Sequence, residues 1–415
     1  MRRHGTGYLR TNRRRLVGVG LVALLALTGC TSKAKGKSAD DAAKGSVAAV
    51  TLAPADKAAD VAVSTEIGLQ VSGGVKVTSV DLTKADGSKV TGALRADASS
   101  WVPQEPLDYA TAYTATVAAT GDGKTVSATS TFTTMARPGD DIRLVAEPRF
   151  DGGMVYGQAM PLVIEFTNGR VADKDRATIE RRLFVTADPP QPGVWHWDND
   201  IQLEYRTQEY WQPGTKVKVR LGFGGLPLSN GKFGQRDWNI NFSIDTVKRV
   251  IEVDNVSKTL AARQDGQVVN IFPVSLGKPS KPSFSGNMVI MSHNEKFIFD
   301  SSTYGVPANS ADGYRTEVQY AERLSYDGQF IHAAPWSVAD QGHNNVSHGC
   351  VNVSTENAKW IYDWVKIGDP VIVKGTEQHL DQGNGWTAWD LSWEDFAKGS
   401  ALGAAPAASA APKPS

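Results

Sequence analysis

From about residue 49 onward the chain is written in short runs of alternating apolar and polar residues separated by turn signals. Val75-Lys76-Val77-Thr78-Ser79-Val80-Asp81-Leu82 is one such run, Ala85-Asp86-Gly87-Ser88 is a turn, and Tyr113-Thr114-Ala115-Thr116-Val117-Ala118 is another run. A side-chain period of two over six to eight residues suits a half-buried strand and not a helix. Over the first two thirds of the chain no segment carries a convincing 3.6-residue apolar period, so antiparallel sandwiches are the expected architecture. Forty glycines and twenty prolines agree with loop-rich β structure. At about 100–200 residues per domain, 415 residues predict two to four domains.

The pattern repeats. Leu107-Asp108-Tyr109-Ala110-Thr111-Ala112-Tyr113 enters a strand, and the segment closes at Ser130-Thr131-Phe132-Thr133-Thr134. Farther on, Tyr210-Trp211-Gln212-Pro213-Gly214-Thr215 enters the strand Lys216–Leu221, and that segment closes at Asn241-Phe242-Ser243-Ile244-Asp245. We read two tandem immunoglobulin-like sandwiches, 49–137 and 138–248. Neither offers a cluster of His, Cys or acidic residues, which favours spacers over glycan-binding modules.

A third, β-rich domain is expected over 249–375. It starts with strands Arg249–Asp254, Thr259–Arg263 and Val268–Ser275, the last two joined by the turn Gln264-Asp265-Gly266-Gln267. Its one principal helix lies in Asn357–Val365, where Ala358, Ile361 and Val365 share a face, Ser354 and Thr355 are candidate caps and Gly368 is the stop. A segment over 376–400 spaces Trp386, Trp389, Trp393 and Phe396 as anchors on a short helix packed back onto a neighbouring domain. Residues 401–415 are Ala-, Pro- and Ser-rich and read as a disordered tail. The fold class is therefore mainly β.

The amino terminus reads as an export label. Six arginines and no acid precede an apolar run, Leu16–Thr28, that is too short to cross a hydrocarbon core of about 30 Å. It ends Leu27-Thr28-Gly29-Cys30, which resembles a bacterial lipobox: residues 1–29 would be removed and Cys30 acylated. An ordinary signal peptide with a chance cysteine is the plainer alternative, and the triple arginine is a poor match to twin-arginine export. Residues 30–48 read as a flexible tether. The expected location is extracytoplasmic, on the outer face of the membrane through the lipid anchor and facing the cell wall. Without its label the chain carries 38 basic against 44 acidic residues, so a nucleic-acid partner is not expected.

Chemistry-bearing residues concentrate between 314 and 352. Three of the seven histidines, His332, His343 and His348, fall within 17 residues, and Cys350 follows the last by two. Removing Cys30 to the lipid anchor leaves Cys350 as the one free thiol. A nucleophilic cysteine needs a base, because a free thiol near pKa 8.5 is mostly protonated at neutral pH. It also needs donors for an oxyanion, and Gly349 lets the Gly349 and Cys350 amides point into a pocket. A metal site built from the same histidines and Cys350 is a rival, although no pair has a usual finger spacing.

At these residues the sequence resembles the catalytic domain of the L,D-transpeptidases, the YkuD family. His332 is followed by fourteen residues and then by Ser347-His348-Gly349-Cys350-Val351-Asn352. Together with the lipobox, the tandem Ig-like domains and the Trp-rich segment, the layout resembles the actinobacterial lipoprotein members. The resemblance implies that Cys350 is the nucleophile and His332 the general base, with the Ala333 backbone carbonyl fixing the imidazole tautomer. Relatives often carry Ser at the Ala333 position. Tyr314 and Gly349 would serve the oxyanion. Tyr304, Trp336, Ser347, His348 and Asn352 would line the substrate pocket, whose lid corresponds to about 296–320.

The implied reaction needs no cofactor or metal. The sulfur attacks the carbonyl of the third stem residue, a diaminopimelate, in a peptidoglycan tetrapeptide donor and D-Ala leaves. A diaminopimelate amine on a neighbouring stem then resolves the thioester and leaves a cross-link. Water as acceptor would make the same site an L,D-carboxypeptidase, and a degenerate wall-binding lipoprotein or another cysteine peptidase fold are weaker readings. Carbapenems are expected to acylate Cys350. His343 reads as solvated, and His196 and His293 as packing histidines.

Overall fold

The computed structural model describes residues 47–304, 307, 309–310 and 315–403, with Thr303 and Tyr304 described by their backbone alone. Cys30, the leader, most of the tether, residues 404–415 of the tail and Tyr314 lie outside them. Among the described residues the chain is mainly β, as the patterning predicts, with three α-helices.

The first sandwich pairs two four-stranded sheets. One runs in the order Ala49–Ala53, Ile67–Ser72, Ser100–Pro103, Gly92–Leu94, and the other Ala58–Val61, Lys124–Thr134, Ala112–Gly121, Lys76–Lys84. The alternation read in the sequence decides the core: Tyr113, Ala115 and Val117 point inward with Leu82 and Phe132, against Ile67 and Trp101 of the facing sheet. The Tyr113 hydroxyl leaves that core and accepts the Asp108 N–H at 2.9 Å, which ties the strand to its entering loop.

The second sandwich has a four-stranded sheet (Val155–Tyr156, Trp238–Ile244, Lys216–Leu221, Leu183–Asp188) and a five-stranded one (Gly193–Trp197, Gln202–Thr207, Leu162–Thr167, Arg143–Pro148, Phe233–Gly234). It also holds the helix Asp173–Glu180, where the sequence reading expects none. In that octapeptide Ile179 is the one large apolar residue, so it shows no amphipathic period. Tertiary bonds hold it instead. The Asp175 carboxylate accepts from the Ser229 hydroxyl at 2.6 Å, and the buried Glu180 accepts the Trp197 indole N–H at 2.7 Å.

The third domain sets a six-stranded sheet against a four-stranded one. The larger runs Gln267–Pro273, Thr259–Gln264, Arg249–Asp254, Pro370–Lys374, Phe284–Val289, Gln378–His379. The smaller runs Ser292–Asp300, Arg315–Arg323, Phe330–Ala333, Val351–Val353. Ile251, Val253, Val371 and Val373 meet Ile331, Ala333, Val351 and Val353 in one core, closed by Ala358 and Ile361 of the helix Thr355–Trp364. Ser354 caps that helix, its Oγ accepting the Asn357 N–H at 3.1 Å.

The second sandwich is not a free spacer. Its core continues through Val289, Met291 and Trp386 of the third domain and the segment beyond it. Gly157 and Ala159 donate their N–H groups to the Ile367 and Gly368 carbonyls at 2.8 and 2.9 Å. The Trp-rich segment folds back onto the same sandwich: Trp389 donates its indole N–H to Ala159 O at 2.6 Å, and Phe396 and Ala397 pack on Val194. The four aromatics do not share one helix, however. Ser392 caps a helix that runs only Trp393–Lys398, so Trp386 and Trp389 precede it, in a bend and a turn.

Replacing Ser354 by Ala removes the cap in front of the principal helix. The expected loss is about 1 kcal/mol, read as a lower urea midpoint with an unchanged slope.

Candidate active site

The strands Phe330–Ala333 and Val351–Val353 run parallel, with Ile331 opposite Val351, His332 opposite Asn352 and Ala333 opposite Val353. Because side chains alternate, this register sorts the residues by face. Ile331, Ala333, Val351 and Val353 enter the main core. Phe330 and His332 take the other face, and Cys350, one residue before its strand, joins them by packing against the Phe299–Phe330 cluster.

His332 is 3% exposed, and its Nδ1 lies 2.8 Å from Ala333 O. A carbonyl only accepts, so Nδ1 carries the proton and Nε2 presents a bare lone pair. Phe299 meets the ring edge-on at 5.0 Å between centroids, and the Trp336 ring lies 6.1 Å away on the solvent side, 62% exposed.

The Cys350 thiol donates to Gly328 O at 3.5 Å. Burial pushes this thiol up to about 12 against the lowering effect of a Phe330 backbone hydrogen bond. Burial pulls the His332 imidazole down to about 4 against the raising effect of the Ala333 bond. At neutral pH the resting pair is thus a thiol and a neutral imidazole, not the standing thiolate that a nucleophile is usually pictured as.

A serine network shapes the loop that carries Cys350. Ser347 Oγ accepts the Gly349 N–H at 3.1 Å and donates to Cys350 O at 2.7 Å, closing a tight turn with Gly349 at φ 126°. Ser283 Oγ accepts the Gly277 N–H at 2.9 Å and donates to Gly349 O at 2.7 Å. Ser275 Oγ donates to Asn344 O at 2.7 Å, and the Ser275 backbone exchanges hydrogen bonds with Asn352 at 2.9 and 3.1 Å. The sequence reading missed Ser275, Ser283 and Gly328. Each acts through backbone contacts with residues far away in the chain, and the Pro-Ser turn around Ser283 was the sole local sign.

The structure places three further expected site residues, and two of them, Gly349 and Asn352, sit differently from their expected roles. The Gly349 amide does not point into an open pocket, because the Ser347 hydroxyl takes its N–H. Asn352 does not line the pocket: it is 3% exposed and its Nδ2 donates to Ser337 Oγ at 3.2 Å. His348 is exposed, with Nε2 3.0 Å from Lys278 Nζ. In the segment where a lid is expected, Ser292–Asp300 pairs with Arg315–Arg323 as a hairpin, and Tyr304 ends the short 3-10 turn Ser301–Tyr304. The Tyr304 side chain and all of Tyr314 lie outside the described residues. His343 is exposed. His293 stacks on Tyr362 at 3.8 Å with Nδ1 3.0 Å from both Glu322 oxygens, and His196 is buried with Nδ1 2.7 Å from Phe396 O. Among the described residues no group of three His, Cys, Asp or Glu side chains is arranged to hold a metal ion.

A cysteine and a tautomer-fixed histidine on one sheet face are the side-chain types that cysteine-histidine acyl transfer uses. The family model described as the L,D-transpeptidase catalytic domain matches residues 248–373, and that of a bacterial Ig domain matches 58–227, spanning parts of both sandwiches. L,D-transpeptidase 2 of Mycobacterium tuberculosis is 36% identical over 363 residues, covering 85% of this chain and 85% of the relative. L,D-transpeptidase 5 of the same species is 36% identical over 361 residues, covering 85% and 77%. A solved L,D-transpeptidase in complex with imipenem is 33% identical, covering 55% of this chain and 98% of that one at a TM-score of 0.47. M. tuberculosis L,D-transpeptidase 3 with a faropenem-derived adduct is 28% identical, covering 56% and 99% at 0.46. The chain belongs to the L,D-transpeptidase family.

The depressed His332 value has a consequence for stability. Between its ordinary value of 6.5 and about 4 the unfolded chain binds a proton at His332 that the folded chain does not. Stability therefore falls as pH drops through that window. Urea unfolding should show wild type losing more stability from pH 6.5 to pH 4 than His332→Gln; parallel losses would contradict the assignment.

Proposed function

We propose that this L,D-transpeptidase works through a Cys350 acyl-enzyme and cross-links diaminopimelate residues of neighbouring peptidoglycan stems. The observation that carries the reading is the His332 imidazole, held by Ala333 O with Nε2 bare, on the sheet face that also carries Cys350. When a tetrapeptide donor reaches the site, the sulfur gives its proton to Nε2 and attacks the third-residue carbonyl. His332, now protonated, returns the proton to the departing D-Ala amine. The thioester keeps the acyl group activated, and the side-chain amine of an acceptor diaminopimelate takes it after His332 accepts the amine proton. No step calls for a cofactor.

The oxyanion is served by the Cys350 amide and the Tyr314 hydroxyl; the Gly349 amide can join only by leaving Ser347. Trp336, exposed beside His332, supplies an apolar wall for the stem peptide. Neutral resting groups suit this cycle, since an uncharged thiol becomes a strong nucleophile only once its proton is taken by Nε2. Imipenem, found bound to one relative and carrying a strained acyl group, would acylate the same sulfur. The amino-terminal label supports work outside the cell, tethered through Cys30 to the outer face of the membrane.

Cys350→Ala should abolish the imipenem mass adduct, and an adduct surviving the substitution would remove the nucleophile assignment. Tyr314→Phe should slow acylation more than it weakens non-covalent binding, because its hydroxyl matters most as negative charge develops. Incubation with a purified disaccharide-tetrapeptide should give, by mass spectrometry, a dimer lacking one D-Ala. Tripeptide alone would mean that water is the acceptor, and unchanged substrate would defeat the reading.

A further inference from the structure

The turn Ser325–Gly328 joins the strand Arg315–Arg323 to Phe330–Ala333, and its last residue provides the carbonyl that accepts the Cys350 thiol at 3.5 Å. This turn is gripped from outside its own domain. The Tyr326 hydroxyl donates to Glu165 Oε1 at 2.7 Å, on the strand Leu162–Thr167 of the second sandwich, and the Tyr326 ring packs against that sandwich's core. Arg149 of the same sandwich donates to the other Glu165 oxygen, so the half-buried carboxylate is paired and held. Burial and the adjacent Glu165 charge both raise the Tyr326 phenol, which keeps its proton for donation.

A second grip runs through the Trp-rich segment. The Asp327 N–H donates to Asn384 Oδ1 at 3.0 Å. Gly385, at φ 120°, lies so close that a Cβ there would stand 3.2 Å from both Leu324 O and Ser325 Cα. Its carbonyl in turn accepts from Gln202 Nε2 at 3.1 Å, again on the second sandwich.

We propose that Tyr326 and Glu165 are positioning residues for the nucleophile: the second sandwich fixes the turn whose Gly328 carbonyl holds the Cys350 thiol hydrogen. The inference rests on the reading of Cys350 as the reacting group. Its physical content is simple. A half-buried thiol that donates to a fixed carbonyl beside the apolar Phe299–Phe330 cluster stays protonated and stays in place until substrate arrives. When the turn loosens, water reaches the sulfur, the acceptor drifts, and the thiol ionises more readily while losing its alignment with His332. Small-molecule alkylation and acylation by a bulky, oriented substrate then change in opposite directions.

The test uses the full chain and reads iodoacetamide alkylation of Cys350, by peptide mass, against pH within the folded baseline of each variant's urea curve. Tyr326→Phe and Glu165→Ala should each lower the alkylation midpoint by about one pH unit, which is roughly tenfold faster alkylation at pH 7, and should slow imipenem acylation. Glu165→Gln keeps an oxygen that can accept the phenol hydrogen and should retain the wild-type profile. An unshifted midpoint in Tyr326→Phe and Glu165→Ala overturns the proposal, as does a shift in Glu165→Gln equal to that in Glu165→Ala. Alkylation needs no cell-wall substrate. Failure here is therefore distinct from failure of the acyl-enzyme reading, which shows as an imipenem adduct on Cys350→Ala.

Discussion

The parallel pairing of Phe330–Ala333 with Val351–Val353 is the constraint on which the rest of the site depends. Four residues of the pair, Ile331, Ala333, Val351 and Val353, are sunk in a core that also takes in the larger sheet and the helix. A one-residue slip would turn all four outward and His332 inward, so burial of the hydrophobic face fixes the register of the face that carries His332. The imidazole is thus positioned by the same free energy that folds the domain, while Cys350 is held on its loop by the hydroxyls of Ser347 and Ser283.

Electrostatics at that face follow from dryness more than from charge. The two causes that dominate His332 and Cys350 are both burial, and they act in opposite directions on a base and an acid. Each group is left neutral, with its proton held by or offered to a backbone carbonyl: Ala333 O for the imidazole, Gly328 O for the thiol. Backbone carbonyls suit this work because they accept and cannot donate, which leaves one tautomer and one thiol orientation. Serines 275, 283 and 347 perform the complementary task for the loop, satisfying amides and carbonyls that would otherwise be left unpaired where the chain turns sharply.

The domains are coupled by the same kind of contact. Gly157 and Ala159 of the second sandwich bond to the loop before Pro370–Lys374, and the Trp-rich segment covers the seam with Trp386 and Trp389. The indole N–H of Trp389 and the phenol of Tyr326 both cross from one part to another. Large aromatic side chains with one polar atom bury area and fix orientation at once, which explains their use at these seams.

Much of this was legible in the chain itself. Period-two alternation gave the sandwiches, the Ser354 cap and the Ala358, Ile361, Val365 spacing gave the principal helix, and the His332 to Cys350 spacing gave the family resemblance, because each of these signals is local and periodic or motif-bound. The helix Asp173–Glu180 was not legible, since bonds to Ser229 and Trp197 hold it in place of an apolar face. Nor was the engagement of the Gly349 amide by Ser347, the turning of Asn352 toward Ser337, or the link from Glu165 through Tyr326 to the Gly328 turn. Those depend on which backbone groups meet across large separations in the chain. Sequence determined which residues could form strands and caps and where the thiol and imidazole lie in the chain; only the packing of one sheet on another decided which carbonyl each proton would face.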